Sequence, residues 1–137
     1  MTWDRTFEGQ QDRLMEAIDD AVAFVEGQGA SPQALYQVRF VLEELGTNIL
    51  KYGHDDEAIH PVRVQVELTP ERIRVHLEDD GHAFDPTGTP DPDTAAPLEE
   101  RTPGGLGLML IRKLVQRFAY ERQGGVNRSI VDIARRA

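Results

Sequence analysis

Cysteine is absent from the chain, which removes disulfides, thiolate catalysis and cysteine-based zinc sites together. No apolar run approaches the ~20 residues of a membrane span, and the opening MTWDRTFEGQ lacks the features of a secretory signal. A cytoplasmic protein without membrane contact is the expectation. Positive charge is in short supply, 15 Lys and Arg against 24 Asp and Glu for a formal net charge of −9. A nucleic-acid backbone would be repelled, and no Lys/Arg stripe stands out to overcome that. The basic residues that do cluster, Arg112, Lys113, Arg117, Arg122, Arg128, Arg135 and Arg136, fall in the last quarter and suit solvated faces or a docking patch. His54, His60, His76 and His82 show no HExxH spacing, so each reads as a surface residue in place of a metal ligand.

What is present fits one globular domain, 137 residues with 39% hydrophobic and 28% charged side chains. Its centre is the stretch from Ser31 to Gly53, which reads as one long helix. Ser31 is an N-cap candidate, Pro32 fits the first helical position and Gly53 supplies the stop. Leu35, Val38, Leu42, Leu45 and Ile49 recur at helical spacing, with Ala34 and Val41 widening the stripe, so this face must be buried. Glu44 and Asn48 are four apart, about 40° on the helical wheel, along the margin of that stripe. They are either rim residues of a solvated face or a pair with chemistry: an Asn carbonyl can ligate a hard cation, and a Glu one turn away can accept a proton.

Around this helix the remaining elements follow from periodicity. Thr2 to Phe7 alternates weakly and suits an edge strand. Gln11 to Glu26 carries Leu14, Ile18, Ala21, Val22 and Val25 at helical spacing and ends near Gly27 and Gly29. Val62, Val64, Val66 and Leu68, then Ile73, Val75 and Leu77, alternate with polar residues as a hairpin with one buried face. One further step puts Asp79 on the apolar side, where an unpaired carboxylate would cost several kcal/mol, so Asp79 needs a hydrogen-bond partner. Gly81 to Pro103 has no apolar period and holds five prolines, Pro86, Pro90, Pro92, Pro97 and Pro103. A loop of that length is usually functional or mobile. Leu106, Leu110, Leu114 and Phe118, with Met109 and Ile111 beside them, predict an amphipathic helix. Phe118 to Arg122 and Asn127 to Ala134 predict two strands joined through Gln123, Gly124 and Gly125. The order β-α-α-β-β-loop-α-β-β predicts an α+β two-layer sandwich, with three main helices on one face of a mainly antiparallel mixed sheet.

GGLGL at 104 to 108 opens a helix, where free N–H groups and the positive dipole end favour an anion such as phosphate. It is not a P-loop, because no Gly-Lys-Ser/Thr follows, and not a dinucleotide fingerprint, because a Pro-rich loop precedes it. The constellation of ELGTN at 44 to 48, DDGHAFDP at 79 to 86 and GGLGLMLI at 104 to 111 resembles the N-box and the two glycine boxes of the GHKL ATPases. That superfamily is named for gyrase, a heat-shock chaperone, histidine kinases and a mismatch-repair protein. Phe84-Asp85-Pro86 after the first box, the compact size and the strand-helix opening look most like bacterial anti-sigma-factor serine/threonine kinases.

The resemblance covers nearly the whole chain and implies a single histidine-kinase-like ATPase domain over 1–137, with an ATP lid at about 81–103. It implies Glu44 as catalytic base, Asn48 as magnesium ligand and Asp79 as acceptor of the adenine amino group. Gly81, Phe84, Arg101, Gly104, Gly105, Leu106, Gly107 and Leu108 complete the nucleotide contacts it implies, with ATP and Mg2+ as cofactors. The activity implied is transfer of the γ-phosphate to a serine on an anti-anti-sigma protein of the STAS class, and the unoccupied kinase is expected to bind and silence a sigma factor. A homodimer is left open. Ala83 stands where many superfamily members have a second glycine, Lys51 where the family commonly has His, and Arg101 is the only lid arginine. The rivals are a same-fold kinase or an ATP-gated binding module regulating a different partner, and the ATP domain of a histidine kinase. For the last, the 43 residues ahead of Glu44 are expected to be used by a strand and packing helices.

Overall fold

The computed structural model describes residues 1–88 and 106–136. Arg101, Gly104 and Gly105, with most of the segment expected to form the lid, lie outside the described residues. Within them the chain runs β1 (Thr2–Glu8), α1 (Gln11–Gly27), α2 (Pro32–Tyr52), β2 (Pro61–Leu68), β3 (Arg72–Asp79), a 3-10 turn (Pro86–Gly88), α3 (Leu106–Leu114), β4 (Arg117–Gln123) and β5 (Val126–Ala134). The strands form one sheet in the order β1-β2-β3-β5-β4. Each of these neighbouring pairs is antiparallel, and the helices cover one face, giving the α+β sandwich that the sequence predicts.

Helix α2 begins as expected. The Ser31 hydroxyl accepts the Ala34 N–H at 3.1 Å, with Pro32 at the first helical position. Ala34, Val38, Val41, Leu42 and Leu45 are buried, and Leu35 and Ile49 pack at the edge of the core. Each such Val or Leu contributes ~1.5–3 kcal/mol of hydrophobic free energy. Gly46 sits where α1 meets α2: a Cβ there would stand 2.6 Å from the Leu14 side chain. The β4–β5 hairpin closes through Gly124 and Gly125 at φ 59° and 79°, the pair of positive dihedrals that a two-residue type I′ turn demands.

Register organises the inner face of the sheet into rows. Leu68, Ile73 and Ile133 form one, Val66, Val75 and Val131 the next, then Val64, Leu77 and Ser129, and finally Val62, Asp79 and Asn127. The apolar layer therefore turns polar at one end, beneath the C-terminal half of α2.

Two expectations are corrected. Helix α3 ends at Leu114, and Phe118 belongs to β4. The buried face of α3 is Leu108 and Ile111, while Leu106, Leu110 and Leu114 are exposed. Both sets have helical spacing, so periodicity alone does not choose between them. His76 is also no surface residue: it is 7% exposed, on the sheet face away from the helices, with Arg128 Nε donating to its Nδ1 at 3.1 Å.

Candidate active site

The polar end of the sheet, the last turns of α2 and the segment after β3 enclose a cleft of about 450 Å³, open to solvent. Asn48, Asp79, Phe84 and Asn127 line it, with apolar walls from Leu45 and Ile49.

Asp79 has the partner its burial requires. It is 9% exposed, and its Oδ2 accepts the Gly81 N–H at 3.0 Å and the Asn127 Nδ2 at 3.3 Å. Its Oδ1 makes no hydrogen bond among the described residues. One oxygen of a fixed carboxylate is thus left as an acceptor on an otherwise apolar wall, the arrangement that selects a ligand N–H group.

Asn127 holds this corner together. Its Nδ2 also donates to the carbonyls of His82 at 2.7 Å and Gly81 at 3.3 Å, while its Oδ1 accepts from Tyr120 at 2.5 Å and Arg122 at 2.8 Å. The sequence reading missed Asn127, although the signal was available. Stepping back by twos from Ile133 and Val131 reaches Ser129 and Asn127, a polar end to an apolar stripe like that of Asp79. Tyr52, His82 and Ser129 also line the cleft without having been singled out as binding residues.

The glycines of the corner are there for close approach. Gly53 ends α2 with ordinary right-handed dihedrals, so its role is not a left-handed cap. A Cβ on Gly81 would lie 2.3 Å from the Gly53 carbonyl oxygen, and the His82 N–H bonds that same oxygen at 2.7 Å. Any larger residue at 81 would push the β3 terminus away from α2, and Asp79 with it.

Glu44 and Asn48 lie half-buried on the α2 margin as expected. Asn48 faces the cleft, where its side-chain oxygen is one neutral ligand of the kind a hard cation accepts beside phosphates and water. Glu44 lies against the first turn of α3, since a Cβ on Gly107 would stand 2.1 Å from its carboxyl carbon. The structure thus brings Glu44, Asn48, Asp79, Gly81, Phe84 and Gly107 to one region. Leu108 departs from its expected place: at 2% exposure its side chain is in the core, because the buried face of α3 is the one containing Ile111. Leu106 is exposed at the start of α3.

The α+β sandwich thus sets a cleft between the polar end of its sheet and the last turns of α2, with Glu44 of the same helix against the first turn of α3. The family model of the histidine kinase-like ATPase domain matches residues 7–133, and the chain belongs to that family. ATP is the nucleotide that such a domain uses. The serine/threonine-protein kinase BtrW of Bordetella bronchiseptica is 30% identical over 114 residues, 79% of each chain. The solved structure of the Acinetobacter baumannii histidine kinase AdeS superposes with a TM-score of 0.50 at 17% identity, over 96% of this chain and 68% of that one. The second likeness is one of fold.

Proposed function

We propose that the chain is an ATP-dependent serine/threonine protein kinase that acts as an anti-sigma factor in a partner-switching pathway, phosphorylating a serine of a STAS-domain anti-anti-sigma protein. The observation that carries the kinase reading over a mere nucleotide switch is Glu44. Its carboxylate is one turn along α2 from Asn48 of the cleft and lies against α3, and a module that only binds nucleotide has no use for a base there. The similarity to BtrW, itself named a serine/threonine kinase, supports the same reading.

In this reading adenine enters over Leu45 and Ile49, with its amino group donating to Asp79 Oδ1. Asn48 would hold magnesium, which neutralises phosphate charge when bound. Glu44 takes the proton of the acceptor hydroxyl as its oxygen attacks the γ-phosphorus, and the bond to the β-γ bridging oxygen breaks, leaving ADP.

The test is transfer of labelled phosphate from ATP to a purified STAS-domain partner. Glu44→Ala should retain ATP binding and lose roughly 10²–10⁴-fold in rate, the range typical of general-base loss. Asn48→Ala should weaken magnesium-dependent nucleotide binding itself. A wild-type chain that binds ATP and partner but transfers nothing would leave an ATP-gated module, and label on a histidine would make it a histidine-kinase domain.

A further inference from the structure

The corner where α2 ends carries side chains that nucleotide chemistry does not use. Between Gly53 and Pro61 stand His54, Asp55, Asp56 and His60, and β3 runs out into Asp80, one residue short of Gly81. They are far apart in sequence, and two backbone contacts gather them. Gly81 against Gly53 sets 80 and 82 beside the start of the loop, and the Gly9 N–H bonds the His60 carbonyl at 2.8 Å, pinning its far end. The His54 and His60 rings then stack with centroids 3.4 Å apart and planes 10° apart. His54 Nε2 lies 3.1 Å from Asp80 Oδ1, and His60 Nε2 lies 2.8 Å from Asp56 Oδ1. One potential ligand atom from each of His54, His60 and Asp80 falls within 4.8 Å of the others.

We propose that His54, His60 and Asp80 form a binding site for a late first-row divalent cation, Zn2+ above all. Two imidazoles and one carboxylate are a nitrogen-rich donor set that suits zinc and its neighbours better than magnesium or calcium, and three protein ligands leave a fourth position for water. Two of the three ligands are half-buried histidines and the third, Asp80, is an exposed carboxylate held 3.1 Å from His54 Nε2, which distinguishes the group from a cluster of surface acids alone. Asp56, on His60 Nε2, is placed as the outer carboxylate that fixes which nitrogen His60 presents.

Ligand atoms of one tetrahedral ion with bonds of ~2.0–2.1 Å stand about 3.3 Å apart, so loading requires only a modest contraction of this group. Parallel rings offer their nitrogens in separate planes, so one ring turns out of the stack as the ion enters. A cavity bordered by Gly9, Leu50 and Ala58 gives it room. None of the three ligands lines the nucleotide cleft, so the site is separate from any magnesium held by Asn48. Its effect is to tie the loop after α2 to the end of β3, next to the Gly81 N–H that fixes Asp79.

The experiment is calorimetric titration of the chelator-treated full chain with zinc chloride in excess magnesium, followed by Co2+ absorption spectra and thermal melts. Wild type should take up one Zn2+ per chain, melt at higher temperature with it, and give the visible bands of low-coordinate cobalt. His60→Gln should bind zinc roughly tenfold or more weakly while keeping its ATP affinity, which shows the fold intact. The double variant H54Q/H60Q should show no saturable uptake and no cobalt bands. Absence of saturable uptake by wild type, or uptake unchanged in His60→Gln and the double variant, overturns the proposal.

Discussion

Asp79 illustrates how one side chain can be both satisfied and available. A buried carboxylate is tolerated only if it is hydrogen-bonded, yet a carboxylate bonded through both oxygens has nothing left to offer. Here both donors, the Gly81 N–H and Asn127 Nδ2, reach Oδ2. Asp79→Asn can keep an oxygen in that position, so the fold should survive. Its Nδ2 then occupies the place of Oδ1 and presents a donor to the adenine amino group. Losing a hydrogen bond to a charged group costs about 1.5–3 kcal/mol, so calorimetry should show ATP affinity reduced about tenfold or more with little change in melting temperature. Unchanged affinity would remove Asp79 from the nucleotide site.

At the scale of elements, α3 and α2 meet through Glu44 and Gly107. A methyl group at 107 collides with the end of a flexible side chain, not with backbone, so Glu44 should move and the helix should stay. Ala is also the better helix former, although at the second residue of α3 its advantage over Gly is smaller than the ~1 kcal/mol of a helix interior. Gly107→Ala should therefore melt no lower than wild type while phosphate transfer falls. A lowered melting point with unaltered transfer would mean that the helix, and not Glu44, gives way. Elements of this kind were legible in the sequence where the determining physics is local: the Ser31 cap, the apolar stripe of α2, the alternation of β2 and β3, and the two glycines of the last hairpin. The inward face of α3 was not legible, because Leu106, Leu110 and Leu114 have the same spacing quality as Leu108 and Ile111, and only packing decides. The alternation of β5 does carry Asn127 to the polar end of an apolar stripe, but its pairing with Asp79 comes from strand register. The histidine corner was hidden altogether, because it arises from a glycine contact between residues far apart in the chain, which single-sequence periodicity does not contain. The N-box and the start of α3 could be placed near each other only through the family resemblance, which the fold then bears out.

For the whole molecule, the face of the sheet turned away from the helices determines the response to acid. It carries charges in alternating rows, among them Arg74, which grips Asp132 through two hydrogen bonds of 2.7 and 2.9 Å. Asp132 is 2% exposed, and the Arg74 hydrogen bonds, with the nearby guanidinium charges, hold its carboxyl below the usual range against the opposing effect of burial. His76 beside it is pushed below its ordinary value, first by burial and then by the charge of Arg128. The sign is the same for both groups. Each binds protons less readily folded than unfolded, so stability is fully present above the unfolded value and declines as pH falls below it. Denaturant melts should therefore show stability falling in two stages, from about pH 6.5 as His76 begins to charge in the unfolded chain and again below about pH 4 for Asp132. Asp4 is held down by Arg63 in the same sense, but that pair is exposed and screened and adds little to the second stage. His76→Gln should flatten the first stage and leave the second. Asp132→Asn should weaken the second and lower stability near neutrality by about 1.5–3 kcal/mol, the loss of hydrogen bonds to a charged group. A His76→Gln protein with an undiminished loss of stability between about pH 6.5 and 5 would show that the buried imidazole is not what makes this fold acid-sensitive.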